Sequence, residues 1–315
     1  VRVLVCGTNY GSSYLRALYD NESGLRLAGV LARSERSRAL AAQCGAPFFT
    51  AVDDVPRGAI DAAVVAISGE SGNAIVTALL ERGVHVLAEH PVYVAEVAAH
   101  RRTARAHRAV YHVNAHYSDI DGAATFVAAF RAARERSRLL FVNVMTNPRA
   151  LYSAIEIVAR AVGSLRPLTL ARASADFFDL AWGTVAGVPL TLQKQTIVSE
   201  IDDGSSCWIS HRITAGFDDG VLTLGEAPGP VEWIPALPSL RQLQSDGASY
   251  NARPLCRVLA APPPTYADYV SWGRDRANRI ALARFAAEVA SGVTPPEQSD
   301  EHLLGVSELW EAMLV

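Results

Sequence analysis

The chain has 315 residues, a hydrophobic content of 50% and a formal charge of -3. That length and apolar content allow one or two domains with sizeable cores, and the mild negative charge gives no footprint for nucleic acid. No charge-free apolar segment reaches the length of a membrane span, and the four cysteines, Cys6, Cys44, Cys207 and Cys256, lack ligand spacing, which predicts reduced thiols in a cytoplasmic setting.

In chain order, Val1 to Cys6 reads as a buried strand that enters the turn Gly7-Thr8-Asn9-Tyr10-Gly11-Ser12 and a helix over Tyr14 to Leu18. A buried strand, a tight turn and a helix amino terminus form the unit that holds a pyrophosphate on backbone amides. The spacing departs from Gly-x-Gly-x-x-Gly, with Asn9 and Ser12 at the second and third glycine positions, so a plain glycine turn is the alternative. Leu25 to Ala32 predicts a second strand, ending in Arg33-Ser34-Glu35-Arg36-Ser37-Arg38. An acidic residue there would select NAD; Arg33, Ser34, Arg36 and Arg38 instead match the geometry of a ribose 2'-phosphate and predict NADP(H). The bland reading is a solvated basic helix start, with Glu35 paired to Arg38.

The alternation continues with a strand over Ala62 to Ile67, a helix over Asn73 to Arg82 stopped by Gly83, a strand over Val84 to Ala88, a helix over Val94 to His107 and a strand over Ala109 to Val113. Strands alternating with helices over this length predict an α/β domain with a parallel sheet, a Rossmann dinucleotide-binding domain over residues 1–118. Ser68, in the turn after the Ala62 to Ile67 strand, is either a contact to the nicotinamide ribose or part of a polar loop. The run Glu89-His90-Pro91 follows the next strand at the edge where cofactor and substrate bind, and Asn114-Ala115-His116-Tyr117 follows the last. His116 is expected to alternate away from Tyr117 if that strand persists.

Residues 119–315 change character and predict an α+β domain with a mostly antiparallel, open-faced sheet. Helices are expected over Asp121 to Arg136 and Ala150 to Ala161, with strands over Leu139 to Met145, Leu168 to Ser174, Gln193 to Ile201, Trp208 to Ala215 and Val221 to Leu224. The proline-rich span Gly225 to Pro264 reads as a long loop. Helices over Tyr266 to Ser291 and Glu301 to Leu314 close the chain and can pack back on the first domain. Asn147, Tyr152 and Glu156 are candidates for a substrate pocket, and the exposed sheet face for a homodimer contact.

Two sets of residues carry a family resemblance. The whole chain resembles the oxidoreductases grouped with glucose-fructose oxidoreductase and inositol 2-dehydrogenase (Gfo/Idh/MocA), in which a Glu-Lys-Pro turn follows the strand equivalent to Val84 to Ala88. Here the turn is Glu89-His90-Pro91, so the lysine used in sugar and polyol dehydrogenation is missing. Gly7-Thr8-Asn9-Tyr10-Gly11, Ala28-Gly29-Val30-Leu31-Ala32-Arg33, Arg82 through Pro91, and Val113-Asn114-Ala115-His116-Tyr117 are similar to the thiazolinyl imine reductases of siderophore assembly lines, over about residues 1–165. That resemblance implies NADPH-dependent reduction of a thiazoline C=N bond on an intermediate held by a carrier domain of a nonribosomal peptide synthetase. It implies Tyr117 and His90 as proton donor and assisting residue, and it requires no catalytic metal. The cofactor would contact Gly7, Thr8, Asn9, Tyr10, Gly11, Arg33, Ser34, Arg36, Arg38, Ser68, Glu89 and His90. The rival readings are an oxidoreductase acting on a free imine or keto sugar, and a nucleotide-binding scaffold without catalysis.

Overall fold

Four-residue and longer apolar runs alternate with helices from the first residue, and in the computed structural model, which describes residues 1–19, 24–196 and 209–314, they build a parallel sheet. Its elements are β1 (Arg2–Cys6), α1 (Gly11–Tyr19), β2 (Arg26–Leu31), α2 (Glu35–Gln43), β3 (Phe48–Phe49), β4 (Ala62–Val65), α3 (Gly69–Glu81), β5 (His85–Glu89), α4 (Val94–Ala106) and β6 (Tyr111–Asn114). The sheet order is β3-β2-β1-β4-β5-β6 and every pairing is parallel. Helices cover both faces of such a sheet, so Val3 to Cys6 and Ala62 to Val65 are buried without alternation. The strand order reverses between β1 and β4, and the carboxyl ends of these two strands open the crevice in which this fold binds ligands. Gly72, in the first turn of α3, makes the close packing there possible: a Cβ would lie 1.9 Å from the Ile67 carbonyl oxygen.

The chain continues with α5 (Asp121–Arg136), β7 (Leu139–Thr146), α6 (Leu151–Val162), β8 (Leu168–Ser174), β9 (Phe178–Val185), β10 (Val188–Gln195), β11 (Arg212–Phe217), β12 (Gly220–Leu224), β13 (Val231–Pro235), α7 (Leu240–Asn251) and β14 (Arg257–Ala260). These strands form an eight-stranded sheet, β14-β13-β12-β11-β7-β10-β9-β8, antiparallel except where β7 meets β10. One face carries the buried Val142, Val144, Leu190, Leu192, Ile213 and Ala215; the opposite side of β9 exposes Trp182. Last come a single helical turn α8 (Tyr266–Asp268), a π-helical stretch over Tyr269–Arg274, α9 (Asp275–Ser291) and α10 (Asp300–Ala312).

Two compact units result, one of Val1–Asp119 with Val270–Glu311, the other of Ile120–Tyr269 with Ala312–Val315. The first unit thus takes in α9 and all but the last residue of α10 along with the parallel sheet. Leu282 and Phe285 of α9, both fully buried, join Val3, Val5, Tyr14 and Leu18 in one core. Gln298 serves the outer edge of β6, its side-chain oxygen accepting from the Val113 amide at 3.0 Å and its amide donating to the Val113 carbonyl at 2.9 Å. An edge strand that would otherwise expose a donor and an acceptor is closed in this way.

Several expectations in the second unit are corrected. The span Gly225 to Pro264 is not a loop: it holds β13, α7 and β14. Prolines 228, 230 and 235 disguise β13, which nevertheless pairs with β12 from Gly220↔Pro235 to Leu224↔Val231. The strand expected over Gln193 to Ile201 lies earlier, over Val188–Gln195, with β9 as its unforeseen partner; positions 197–201 fall outside the described residues, as do Cys207 and Trp208. The helix expected over Tyr266 to Ser291 is interrupted by the π-helical stretch.

Candidate active site

The turn after β1 has the backbone of a ligand cradle. Gly7 adopts φ +84°, and a Cβ there would stand 2.7 Å from Ile67 Cγ1 and 2.8 Å from the Ala66 carbonyl, so the position demands glycine on both counts. Beside it opens a cavity of about 600 Å³ lined by Gly7, Ala32, Arg33, Thr50, Ser68 and Ser71 among others. The space lies between the ends of β1, β2 and β4, and its one arginine lies at the end of β2, so its lining fits the adenosine half of a dinucleotide. Ser68 occupies the N-cap position of α3.

The remaining cofactor candidates divide by what they touch. Thr8 Oγ1 lies 2.7 Å from Ser37 Oγ, which lies 2.7 Å from Ser34 Oγ, and Ser34 caps α2 by accepting from the Ser37 amide at 3.2 Å. These hydroxyls tie the turn to the start of α2. Arg38 sits 4.4 Å over the Phe48 ring and 3.4 Å from Glu35, while Arg33 and Arg36 are exposed. Arg33 is therefore the arginine of the cluster best disposed toward the cavity. Asn9 is exposed at the tip of the turn and Gly11 is buried at the start of α1.

The phenol of Tyr10 leads instead into a polar cluster at the ends of β5 and β6. Its oxygen lies 2.9 Å from His116 Nδ1, and His116 Nδ1 is 3.7 Å from Glu89 Oε1. His90 Nδ1 is 2.8 Å from that same carboxylate oxygen and 2.8 Å from the Asn114 carbonyl. Both neighbours only accept, so Nδ1 of His90 carries hydrogen, and Nε2 is the atom at which its charge state changes. On the other side of Glu89, Oε2 accepts from the Tyr14 hydroxyl, which accepts from the Asn114 side chain. Asn114 also donates to Asn278 of α9 at 3.0 Å, and Asn278 donates to Ser13 at 3.0 Å. Tyr117 completes the group, its ring 4.2 Å from that of His116 and 6.3 Å from that of His90, perpendicular to the latter. The His90-Pro91 peptide is cis.

Burial opposes charge on Glu89, but hydrogen bonds from His116 and His90 and their positive charge outweigh it and hold the carboxyl down to about 2. His116 is lowered from the ordinary imidazole value, burial outweighing the pull of Glu89. Burial raises the Tyr10 phenol, assisted by the charge of Glu89. Burial likewise raises that of Tyr14, again with Glu89. The cluster thus holds one anion among the described residues, Glu89, which orients the imidazole of His90 through Nδ1.

His116 is the site residue that sequence reasoning missed. The strand does not persist: β6 stops at Asn114 and a 3-10 turn over His116–Asp119 brings both rings to one cluster. Glu89, expected as a cofactor contact, lies at the centre of this cluster. Glu89, His90 and His116 also bring one ligand atom each within 4.8 Å of one another, a spacing that can hold a cation. The Nδ1 of His90, however, faces the Asn114 carbonyl and must donate to it, which removes that atom from a ligand set. His85 accepts from the Val110 amide at 2.9 Å and His112 pairs with Glu288 at 2.6 Å.

The three pocket candidates lie in the second unit, each with local partners. Asn147 holds the turn before α6, accepting from the Arg149 and Ala150 amides at 2.9 and 3.0 Å, and donates to the Ile209 carbonyl at 2.6 Å. Glu156 is buried and accepts from Arg160 at 2.7 Å; Tyr152 is 2% exposed. Among the described residues no helix is long and apolar enough to cross a membrane.

Residues 1–115 match the oxidoreductase family GFO_IDH_MocA, described by its NAD-binding Rossmann fold. Residues 137–234 match the Irp3-like carboxyl-terminal family of thiazolinyl imine reductases. No curated protein sequence matches the chain. Among solved structures, an oxidoreductase from Agrobacterium radiobacter in complex with NAD+, L-tartaric acid and magnesium superposes with a TM-score of 0.75 at 13% identity, covering 100% of this chain and 95% of its own. The WlbA dehydrogenase of Bordetella pertussis, in complex with NADH and UDP-GlcNAcA, gives 0.73 at 15% identity, with coverage of 100% and 94%. Biliverdin reductase from Synechocystis, in complex with biliverdin and NADP+, gives 0.69 at 15% identity, with coverage of 100% and 98%. At such identities the likeness is one of fold: a Rossmann domain joined to a mostly antiparallel sheet domain.

Proposed function

We propose that this chain, an NAD(P)-dependent oxidoreductase of the Gfo/Idh/MocA family, reduces the C=N bond of a thiazoline to a thiazolidine, using NADPH and a substrate carried on a nonribosomal peptide synthetase. One observation carries the reading: an imidazole, His90, stands where relatives that oxidise sugars have lysine, fixed through Nδ1 by Glu89 and Asn114 and next to the phenol of Tyr117. The match of residues 137–234 to the thiazolinyl imine reductase family supports it.

NADPH bound at the Gly7 turn supplies the hydride. Arg33, with Arg36 beside it, recognises the ribose 2'-phosphate, and Ser68 contacts the nicotinamide ribose. Addition at the imine carbon leaves an electron pair on nitrogen that needs a proton. Tyr117 donates it, and protonated His90, oriented through Nδ1 by Glu89 and the Asn114 carbonyl, returns a proton to the phenolate from Nε2. A carrier domain delivers the substrate as a thioester, and the open sheet face of the second unit makes the contact of a homodimer, in a cytoplasmic enzyme.

The test mixes the protein with NADPH and an acylated thiazoline mimic, following cofactor absorbance and product mass. Oxidation of NADPH with gain of two hydrogens in the product is expected. No turnover of the mimic alongside turnover of a keto sugar contradicts the reading.

A further inference from the structure

The geometry points to Arg274 as a binding residue for an oxygen acceptor of a ligand, either a phosphoryl oxygen of the dinucleotide or the acyl carbonyl oxygen of the substrate. Arg274 ends the π-helical stretch before α9. Its Nε is buried and has no hydrogen-bond partner, which holds for no other buried side-chain nitrogen or oxygen among the described residues. A buried charged donor left without an acceptor is costly, and such a group persists where a ligand completes it.

Three other arginines around α9 and α10 have carboxylate partners. Arg16 grips both oxygens of Asp275 at 2.7 and 3.0 Å, Arg101 reaches Asp300 at 2.7 Å, and Arg284 pairs with Asp119 and with Glu297 at 3.1 Å. Asp275, the carboxylate next to Arg274 in the chain, is thereby used up by Arg16. Glu89, the anion of the polar cluster, already accepts from Tyr14 and is flanked by His90 and His116. Arg274 instead faces an aromatic ring, its guanidinium carbon 5.9 Å from the centre of Tyr10. Its charge also acts on Tyr10 and His116, lowering both, as the least of the influences on each.

Tyr10 belongs to the turn that carries a pyrophosphate in this fold, and its hydroxyl leads to His116 beside Tyr117. A group over that ring can therefore meet the cofactor's phosphates or an oxygen of the substrate. The planar guanidinium fork suits the paired oxygens of a phosphate, and a single N–H of it suits a thioester carbonyl oxygen. The substrate alternative rests on the imine-reductase reading; the dinucleotide alternative does not.

The test uses the whole protein with Arg274→Gln and Arg274→Lys. Each is titrated with NADPH and, with NADP+ present, with a small-thiol thioester of 2-aryl-thiazoline-4-carboxylic acid, after circular dichroism has established the folded state. Arg274→Gln is expected to weaken one of the two affinities on the order of tenfold, with Arg274→Lys recovering part of the loss. Weakened NADPH binding identifies the pyrophosphate as the source; weakened thioester binding with NADPH unchanged identifies the substrate. If Arg274→Gln folds poorly, Arg274→Lys is read alone, because it keeps the charge and loses the fork: a weaker affinity supports the assignment. A well-folded variant that binds both ligands like the wild type overturns it. Wild-type protein that binds NADPH but reduces no thiazoline sinks the imine-reductase reading, and Arg274 then stands or falls on the NADPH titration.

Discussion

Replacing Glu89 by Gln removes the carboxylate at the centre of the polar cluster while keeping its shape. The carboxyl falls from an ordinary value of 4.5 to about 2 in the folded chain. A depressed carboxyl contributes stability that is complete above the unfolded value and is lost as the pH falls through the folded one. The shift corresponds to about 3 kcal/mol at neutral pH and to roughly half of that at about pH 3, where the unfolded chain is protonated and the folded one still mostly ionised. Urea unfolding of wild type and Glu89→Gln at these two pH values, at constant ionic strength, should show a gap that narrows by about half on acidification. A gap of equal size at both pH values would mean that geometry rather than charge holds the cluster. A gap well under 1 kcal/mol at neutral pH would refute the reasoning outright.

Three further outcomes follow from the same structure. Arg33→Ala should lower the preference for NADPH over NADH by on the order of tenfold, whereas Arg38→Ala, engaged with Phe48, should change it much less; dissociation constants for both dinucleotides decide this, and equal effects contradict the assignment. His85, His100, His112 and His116 are all lowered from 6.5, each by burial first. A lowered imidazole value means that the unfolded chain binds more protons, so stability should drop as the pH falls below about 6.5, and urea midpoints that stay flat from about pH 7.5 to 5.5 contradict it. His116→Asn should lower the reduction rate and leave the NADPH dissociation constant within about twofold, because His116 meets Tyr10, Glu89 and Tyr117 and does not line the cavity beside Gly7.

What the sequence made legible depended on how far each signal reached. Runs such as Val3 to Cys6 and Ala62 to Val65, buried on both faces, announce a parallel strand by themselves, and Gly7 and Gly83 mark its turns. The two-residue β3 is too short for any period. β9 was hidden because Ala181 and Gly183 interrupt its alternation, and Gly183 is there for close approach: a Cβ would lie 1.9 Å from the Thr169 carbonyl. α7 carried a readable start, the reciprocal Ser239 and Gln242 cap, but its Leu240 and Leu243 face outward and form no buried stripe. In the site, Glu89, His90 and Tyr117 were visible as polar residues just beyond apolar strands. His116 was misread because the end of β6 is set by Asn114, which turns inward to Tyr14 and to Asn278, 164 residues away. Arg274 likewise reaches Tyr10 from a distant part of the chain, and no local pattern encodes such a meeting.

The central claim is tested most directly by single-turnover reduction of an acylated thiazoline mimic with NADPH, comparing wild type with Tyr117→Phe and His90→Ala under saturating cofactor. The account predicts formation of the thiazolidine by the wild type and a loss of roughly a hundredfold in rate for Tyr117→Phe, with a smaller loss for His90→Ala. Absence of thiazolidine from the wild type, or unchanged rates in both variants, would contradict it.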